Sequence, residues 1–342
     1  MRAAVLVSKN KIEIMNFLDF PLVQAGQVLV KMSYAGICGA QLREFTGAKG
    51  EDKYLPHMLG HEGSGEVVFV GPHVVKVCEG DNVILHWRKG SGMEATPAQW
   101  VSDEGISVGS GPVTCFSDYT IVSENRVTKI PATFEEGEDN FPLRMDVCAL
   151  LGCAISTGIG IINNEARLKV GQSVLVIGGG GVGMSVVQAA SLCGAGLIAV
   201  WERAEEKFPL LQSLGADQVG APKYSRNGYD VVVDTVGSPV LIAMGLEEVK
   251  PGGKLILVGQ PVHNLPLTFP NFSSHYQGKH ILDSQGGLTN PDEDLPRYVW
   301  MMARGKADFS RLISKTITLD QLPEIMEFLR LGRVVGRCLI RF

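Results

Sequence analysis

The sequence of 342 residues lacks several features, and each absence excludes a class of protein. No run of about 18 apolar residues is present, so no membrane span is predicted. No basic tail or block of like charge is present either, and the net charge of −5 argues against binding to nucleic acid. The opening MRAAVLVSKNKIEIM contains an apolar run too short for a secretory signal. We therefore expect a cytoplasmic protein with neither a membrane nor a nucleic acid as partner.

The cysteines do not form the pattern of a disulfide framework. There are seven of them, an odd number, spread through a long chain. Such a distribution is typical of reduced thiols, a few of which serve as metal ligands. The length also exceeds what one hydrophobic core usually supports, so two domains are predicted.

Two patterns of hydrophobic residues divide the chain. Up to about residue 140, short runs such as QVLVKMSYAG and DNVILH alternate with turn residues, which predicts an antiparallel, barrel-like domain. The segment DVCALLGCAISTGIGIINNEA then predicts one helix. After it, the apolar runs SVLVIG, LIAVWE, YDVVVDTVG and KLILVG alternate with helical segments, which indicates a doubly wound parallel sheet. The fold class is therefore α/β, and the tail adds two helices and a final strand.

A glycine-rich loop follows the first of these parallel strands. Gly178, Gly180 and Gly183 form G-x-G-x-x-G, with Gly181 and Val182 inside the loop. The first glycine permits a tight turn, the second lets a pyrophosphate approach the backbone, and the third lets helix and strand pack closely. The loop therefore predicts a dinucleotide site.

The residue type at the end of the next strand bears on which dinucleotide binds. Glu202 stands about 20 residues beyond the loop, where an acidic side chain binds the adenosine ribose hydroxyls. A carboxylate there repels a 2′-phosphate, so NAD is favoured over NADP. Arg203 moderates the preference, because a guanidinium can pair with that phosphate.

Three distant segments supply metal ligands: Cys38 in GICG, His61 with Glu62 in GHEGSGEV, and Cys153 in LLGCAISTG. Two thiolates, one imidazole and a nearby carboxylate suit a catalytic zinc with one exchangeable position. Zinc acts as a Lewis acid on an alcohol or carbonyl oxygen, while a nicotinamide carries the hydride. Together the two sites predict alcohol and carbonyl chemistry on a small molecule.

From these motifs the chain resembles the zinc-dependent alcohol dehydrogenases of the medium-chain dehydrogenase/reductase family. The resemblance also covers LPHMLGHEGSGEV, DVVVDTVG, KPGGKLILVGQ and LGRVVGR. It implies a GroES-like catalytic domain at residues 1–150 and 286–342, a Rossmann domain at 151–285, and a homo-oligomer, dimer or tetramer. The roles that it implies are zinc ligands at Cys38, His61 and Cys153, a carboxylate that exchanges onto the metal at Glu62, a nicotinamide contact at Thr157 and a pyrophosphate contact at Arg337.

The sequence departs from the family pattern in two places. The stretch that carries four structural-zinc cysteines in many relatives has only Cys115, so one zinc per chain is expected. The position of the usual relay hydroxyl is Ala40, that of the Asp that orients the histidine is Gln41, and that of an outer relay His is Arg43. We expect the amide of Gln41 to accept a hydrogen bond from the imidazole.

The residues predicted to line the substrate pocket suggest what kind of substrate binds. By resemblance Trp87 narrows the substrate channel, and His86 and Arg43 are predicted beside it with Ala40. An anionic or polyhydroxy substrate is therefore expected. Two alternatives stay open: a zinc-free, NADPH-dependent quinone or enone reductase, and a dinucleotide-binding protein without catalysis.

Overall fold

The computed structural model describes residues 1–131, 144–223, 225, 228–260, 265–269 and 277–342. Within them the chain divides into two units. Unit 1 comprises residues 1–153 and 290–342, and unit 2 comprises residues 154–289. No helix among the described residues has the length and apolar character needed to cross a membrane.

The secondary structure of the described residues changes character along the chain. The strands are β1 (Arg2–Ser8), β2 (Lys11–Asn16), β3 (Gln27–Gly36), β4 (His57–Met58), β5 (Glu62–Val70), β6 (Asn82–His86), β7 (Gln99–Val101), β8 (Ser107–Gly109), β9 (Tyr119–Ser123), β10 (Val127–Lys129), β11 (Ser173–Ile177), β12 (Leu197–Trp201), β13 (Gln218–Gly220), β14 (Tyr229–Asp234), β15 (Val249–Leu257), β16 (His280–Asp283), β17 (Ile313–Ile317) and β18 (Arg337–Arg341). The α-helices are α1 (Gly39–Phe45), α2 (Met145–Leu150), α3 (Ala154–Gly160), α4 (Gly181–Leu192), α5 (Phe208–Ser213), α6 (Pro239–Glu248), α7 (Pro291–Ala303) and α8 (Leu322–Arg330).

Unit 1 consists mainly of antiparallel strands. Its larger described sheet has the order β10-β6-β5-β3-β18-β17, with β9 also paired to β3. The smaller sheet has the order β2-β1-β4-β8-β7. Two pairs, β17 with β18 and β4 with β8, are parallel, which the prediction of an antiparallel domain did not include. The core side chains that the larger sheet buries include Val28, Val30, Val67, Val83, Leu85, Phe116, Val122 and Ile340.

Unit 2 is the predicted doubly wound sheet. In the described residues its order is β13-β12-β11-β14-β15-β16, and every pairing is parallel. All five residues of β11 are buried, as expected for a parallel strand covered on both faces. The α/β class is thereby confirmed.

The helix predicted from DVCALLGCAISTGIGIINNEA is wrong as a single helix. The structure has α2, a turn at residues 151–153, then α3 and a π-helical turn over Ile161–Ala166. The prediction failed because the segment is largely apolar and contains no proline that would mark the turn. The turn sets the direction of Cys153.

Candidate active site

Cys38 lies where β3 ends and α1 begins. The Ile37 N–H donates to the carbonyl of Cys338 in β18, so hydrogen bonds to β18 fix β3 as far as the residue before Cys38. Cys38 is itself extended, with φ −110° and ψ 155°, and serves as the N-cap of α1. Its side chain is 8% exposed. The sheet therefore delivers this thiol to a fixed, buried position.

His61 stands at the start of the neighbouring strand. β5 runs antiparallel to β3, with Ala35 opposite Gly63, so the end of one strand lies beside the beginning of the other. Gly60 precedes the histidine with φ +96°, and a Cβ on it would come 2.7 Å from the Phe116 ring. This glycine permits the tight entry that brings His61 beside Cys38.

Cys153 reaches the same place from the turn after α2. A Cβ on the preceding residue, Gly152, would lie 2.1 Å from the carbonyl oxygen of Leu85 and 2.9 Å from the Cα of Glu62. Only glycine allows the turn to pack this closely against β5 and β6. This close packing places Cys153 beside Cys38 and His61.

Cys38, His61 and Cys153 each offer a ligand atom within 4.8 Å of the other two. The hydrogen bond from Cys153 lowers the pKa of Cys38 well below its usual value, and the same bond raises the pKa of Cys153. Burial lowers the pKa of His61, but the neighbouring Cys38 sulfur outweighs it and the net shift is upward. Of the two thiols, Cys38 therefore loses its proton more readily than Cys153.

The donor set fits zinc. His61 Nε2 is buried and has no hydrogen-bond partner among the described residues, whereas buried polar atoms normally have one. Two sulfurs and one imidazole nitrogen are ligands that zinc takes in tetrahedral sites, and three protein ligands leave a fourth position for water or substrate.

Glu62 and Arg337 form a buried ion pair behind this cluster. The guanidinium Nη2 contacts Glu62 Oε1, and the two residues are 0% and 3% exposed. Although burial opposes it, the Glu62 carboxylate and the neighbouring thiols raise the pKa of Arg337. The sequence did not predict this pairing. The metal exchange proposed for Glu62 and the pyrophosphate contact proposed for Arg337 stay predictions.

Gln41 connects two residues of this cluster, Cys38 and His61. Its Oε1 accepts from the Cys38 N–H at 3.1 Å, and its Nε2 lies 2.7 Å from His61 Nδ1. The amide thus faces the ring with its donor, the reverse of the acceptor role we expected. Ala40, the residue before it, is half-buried and contributes only a methyl group.

A cavity of about 1080 Å³ opens beside the cluster within unit 1. Of the predicted pocket residues, Arg43 and Trp87 line it, together with Gln41 and His61. His86 is a correction. It is 2% exposed and does not line this cavity as the described residues define it, because its Nδ1 bonds to the Arg88 carbonyl and its Nε2 to the Thr128 hydroxyl.

The cavity also has ionic residues that the sequence analysis missed. Arg126 lines it at 7% exposure; its Nη1 donates to the Trp87 carbonyl, and its buried Nε has no partner among the described residues. His57 and Asp52 line another part, with Nε2 and Oδ2 2.9 Å apart. The sequence offered one indication of this pair, because His57 stands only four positions before the predicted ligand His61.

The glycine loop of unit 2 has the geometry that a pyrophosphate needs. Gly178 has φ +97°, and a Cβ on Gly183 would lie 1.9 Å from the Gly178 carbonyl oxygen. A Cβ on Gly180 would meet nothing within 4 Å, so open space adjoins the backbone where α4 begins. Gly181 and Val182 are the first residues of that helix. Its N-terminal amides suit an anion.

Glu202 follows β12 and is held against this loop. Its carboxylate accepts from the Gly179 N–H at 2.9 Å and from the N–H groups of Arg203 and Ala204 at 2.9 and 3.0 Å. Lys207 Nζ lies 3.2 Å away, a cation that the sequence analysis missed. Burial raises the pKa of Glu202, but the hydrogen bonds and Lys207 make the net shift downward. The Arg203 side chain is exposed, and Thr157 of α3 is buried.

Comparison with known proteins gives two family matches. The model described as alcohol dehydrogenase GroES-like domain matches residues 24–132. The model described as zinc-binding dehydrogenase matches residues 181–304. The first match includes Cys38, His61 and Glu62, and the second begins within the glycine loop and includes Gly181, Val182 and Gly183.

Similar proteins span the whole chain. An S-(hydroxymethyl)glutathione dehydrogenase of Escherichia coli O6:H1 is 28% identical over 380 aligned positions, covering 100% of this chain and 99% of the relative. Benzyl alcohol dehydrogenase from Acinetobacter calcoaceticus matches with a TM-score of 0.84 at 24% identity, covering 100% and 99%. 2R,3R-butanediol dehydrogenase from Bacillus subtilis matches with 0.78 at 23%, also covering 100% and 99%. At these identities the structural likeness establishes the fold.

Proposed function

Because the chain belongs to the zinc-dependent alcohol dehydrogenases of the medium-chain dehydrogenase/reductase family, we propose that Cys38, His61 and Cys153 hold one catalytic zinc ion per chain. The protein is an oxidoreductase that transfers hydride between a nicotinamide dinucleotide and an alcohol/carbonyl pair. The observation that carries the zinc proposal is the buried His61 Nε2, without a partner in the described residues, beside two thiols.

Bound at this cluster, zinc supplies a Lewis acid for the substrate oxygen. The protein's own residues supply the rest. The Glu62–Arg337 pair keeps β5 and β18 together behind the ligands, and its charges cancel, so it adds little net charge to the site. Gly152 sets the position of Cys153 by its approach to β6.

The proposed cofactor is NAD, bound by unit 2, which we assign as the dinucleotide domain; unit 1 is then the catalytic domain. The pyrophosphate is proposed at the loop from Gly178 to Gly183, the ribose at Glu202 and the nicotinamide near Thr157. Support comes from the open space at Gly180 and the buried carboxylate after β12. Lys207 reduces the repulsion that Glu202 exerts on a 2′-phosphate, so we propose a moderate preference.

The proposed substrate is a hydroxylated molecule with an anionic or polyhydroxy part. Arg43 and Arg126 line the cavity, and the buried Arg126 Nε is a donor without a partner among the described residues. A volume of about 1080 Å³ is larger than a simple alcohol needs. The Escherichia coli relative acts, by its name, on a glutathione adduct, which is likewise large and charged.

Zinc content and turnover together test the function. Elemental analysis should give one equivalent per chain, and Cys153→Ala should lose both metal and turnover. Turnover without metal on enones would favour the zinc-free reductase, and dinucleotide binding without any turnover would favour the non-catalytic protein. Ultracentrifugation tests the homo-oligomer that we propose from the family.

A substrate panel tests the proposed class. Because Ala40 has no hydroxyl for a proton relay, a hydroxyl of the substrate is proposed to substitute, and general acid–base help of this kind is worth about 10²–10⁴ in rate. Diols should therefore turn over faster than matched mono-alcohols, and Ala40→Ser should narrow the difference. If diols and mono-alcohols turn over at equal rates, and Ala40→Ser changes neither rate, proton transfer through a substrate hydroxyl is refuted.

A further inference from the structure

Gln41 faces two hydrogen-bonding groups that belong to metal ligands. It is 1% exposed and occupies the third position of α1, one turn after Cys38. Its oxygen accepts from the Cys38 N–H, and its amide nitrogen contacts His61 Nδ1 at 2.7 Å. Because Gln41 is buried, no solvent water can replace a hydrogen bond that its side chain loses.

The contact with Gln41 decides which nitrogen of His61 carries hydrogen. An amide NH₂ group only donates, so Nδ1 must accept, and the hydrogen of a neutral ring then lies on Nε2. Nε2 is the nitrogen left without a partner in the described residues, and it is therefore the candidate ligand atom. A ligand atom needs its lone pair, so metal binding moves the hydrogen to Nδ1.

In the metal-loaded arrangement two donors face an amide whose oxygen is directed at only one of them. The Cys38 N–H and the His61 Nδ1–H are then both donors toward Gln41, whose oxygen faces the Cys38 N–H while its NH₂ group, itself a donor, faces Nδ1. Turning the amide over only changes which donor faces the NH₂ group. The mismatch therefore holds for either orientation of the side chain.

We propose that Gln41 is a positioning residue that weakens zinc retention, so that the ion is more readily exchanged than it would be beside a carboxylate. The inference rests on the proposed zinc site. A glutamate has the same size and two acceptor oxygens, so Gln41→Glu satisfies both donors at once. Partners of ligating histidines typically change metal affinity by about 10–100-fold.

The test is zinc affinity measured by competition with a chromophoric chelator. Gln41→Glu should lower the Kd for zinc about 10–100-fold. Gly39→Glu is the matched control, because it adds the same charge beside Cys38 at an exposed position with nothing within 4 Å of its Cβ. It should change the Kd by less than about threefold, as expected of a solvent-screened charge.

Hydrogen exchange at the Cys38 amide separates a positioning role from a charge effect. In the native protein, zinc should speed exchange of this amide, because the Gln41 oxygen turns to His61. In Gln41→Glu, zinc should leave its protection unchanged.

The inference is overturned if both glutamate variants tighten zinc equally, or if zinc leaves the native Cys38 amide fully protected. If the native protein binds no zinc that Cys153→Ala removes, the proposed function fails instead.

Discussion

Replacing Glu62 by Gln should destabilise unit 1 strongly. The change keeps the shape of the side chain but removes the carboxylate charge that pairs with the Arg337 guanidinium, which is 3% exposed. Breaking a buried pair from one side costs about 3–5 kcal/mol, and the retained amide oxygen places this case near 3 kcal/mol. In a unit of this size that is a fall in Tm of roughly 10 °C.

Urea unfolding at saturating zinc, followed by circular dichroism, measures the effect. Glu66→Gln is the matched control, because Glu66 lies on the same strand and is exposed; it should change the unfolding free energy by less than about 0.5 kcal/mol. The double variant Glu62→Gln/Arg337→Met should recover much of the loss, since removing both charges of a buried pair is often nearly neutral. A loss in Glu62→Gln no larger than in Glu66→Gln would refute the reasoning, as would an additive double variant.

Three further predictions concern other parts of the chain. Lys207→Met removes the cation beside Glu202, the carboxylate that we propose binds the ribose, and should raise the ratio of NAD to NADP affinity about tenfold in calorimetry; an unchanged ratio contradicts it. Burial lowers the pKa of His86 to about 4 from 6.5, so the folded protein keeps it neutral. The unfolding free energy should therefore fall by roughly 3 kcal/mol as pH drops from 6.5 to 4, and a His86→Asn variant should lose that slope. Gly152→Ala would place a Cβ 2.1 Å from a carbonyl oxygen and should cost about 1–3 kcal/mol and weaken zinc binding in chelator competition, whereas Gly39→Ala, in open space, should do neither.

The parallel strands could be predicted because they are buried on both faces. SVLVIG is almost wholly apolar, and the structure has β11 there with every residue buried. QVLVKMSYAG matches β3 from Gln27 to Gly36 for a related reason, since turn residues bound it on both sides. Strands that are long, apolar and bounded by turn residues can therefore be predicted from the local sequence alone.

Other features depended on contacts that the sequence cannot display. The helix α1 has seven residues, too few for a periodic pattern, and it begins after Cys38, whose N–H donates to the Gln41 side chain. His86 carried the features of a pocket residue, but its two nitrogens are used by a backbone carbonyl and a hydroxyl 42 positions away. For His86 the decisive partner, Thr128, lies outside the local sequence pattern.

The two candidate sites differ in what they are made of, and this gives them different tolerance to mutation. The loop of unit 2 presents backbone amides, with Gly183 at a position where a Cβ would lie 1.9 Å from a carbonyl oxygen. Side-chain changes on its outer face leave those amides in place, so dinucleotide binding should persist across divergent sequences. The cluster of unit 1 consists of side chains, and the neighbours Ala40, Gln41 and Arg43 sit on one short helix beside it. We expect substitutions at these positions to change metal affinity and substrate specificity without changing the glycine loop of unit 2. One fold can then acquire new specificities through a few mutations close together in the sequence.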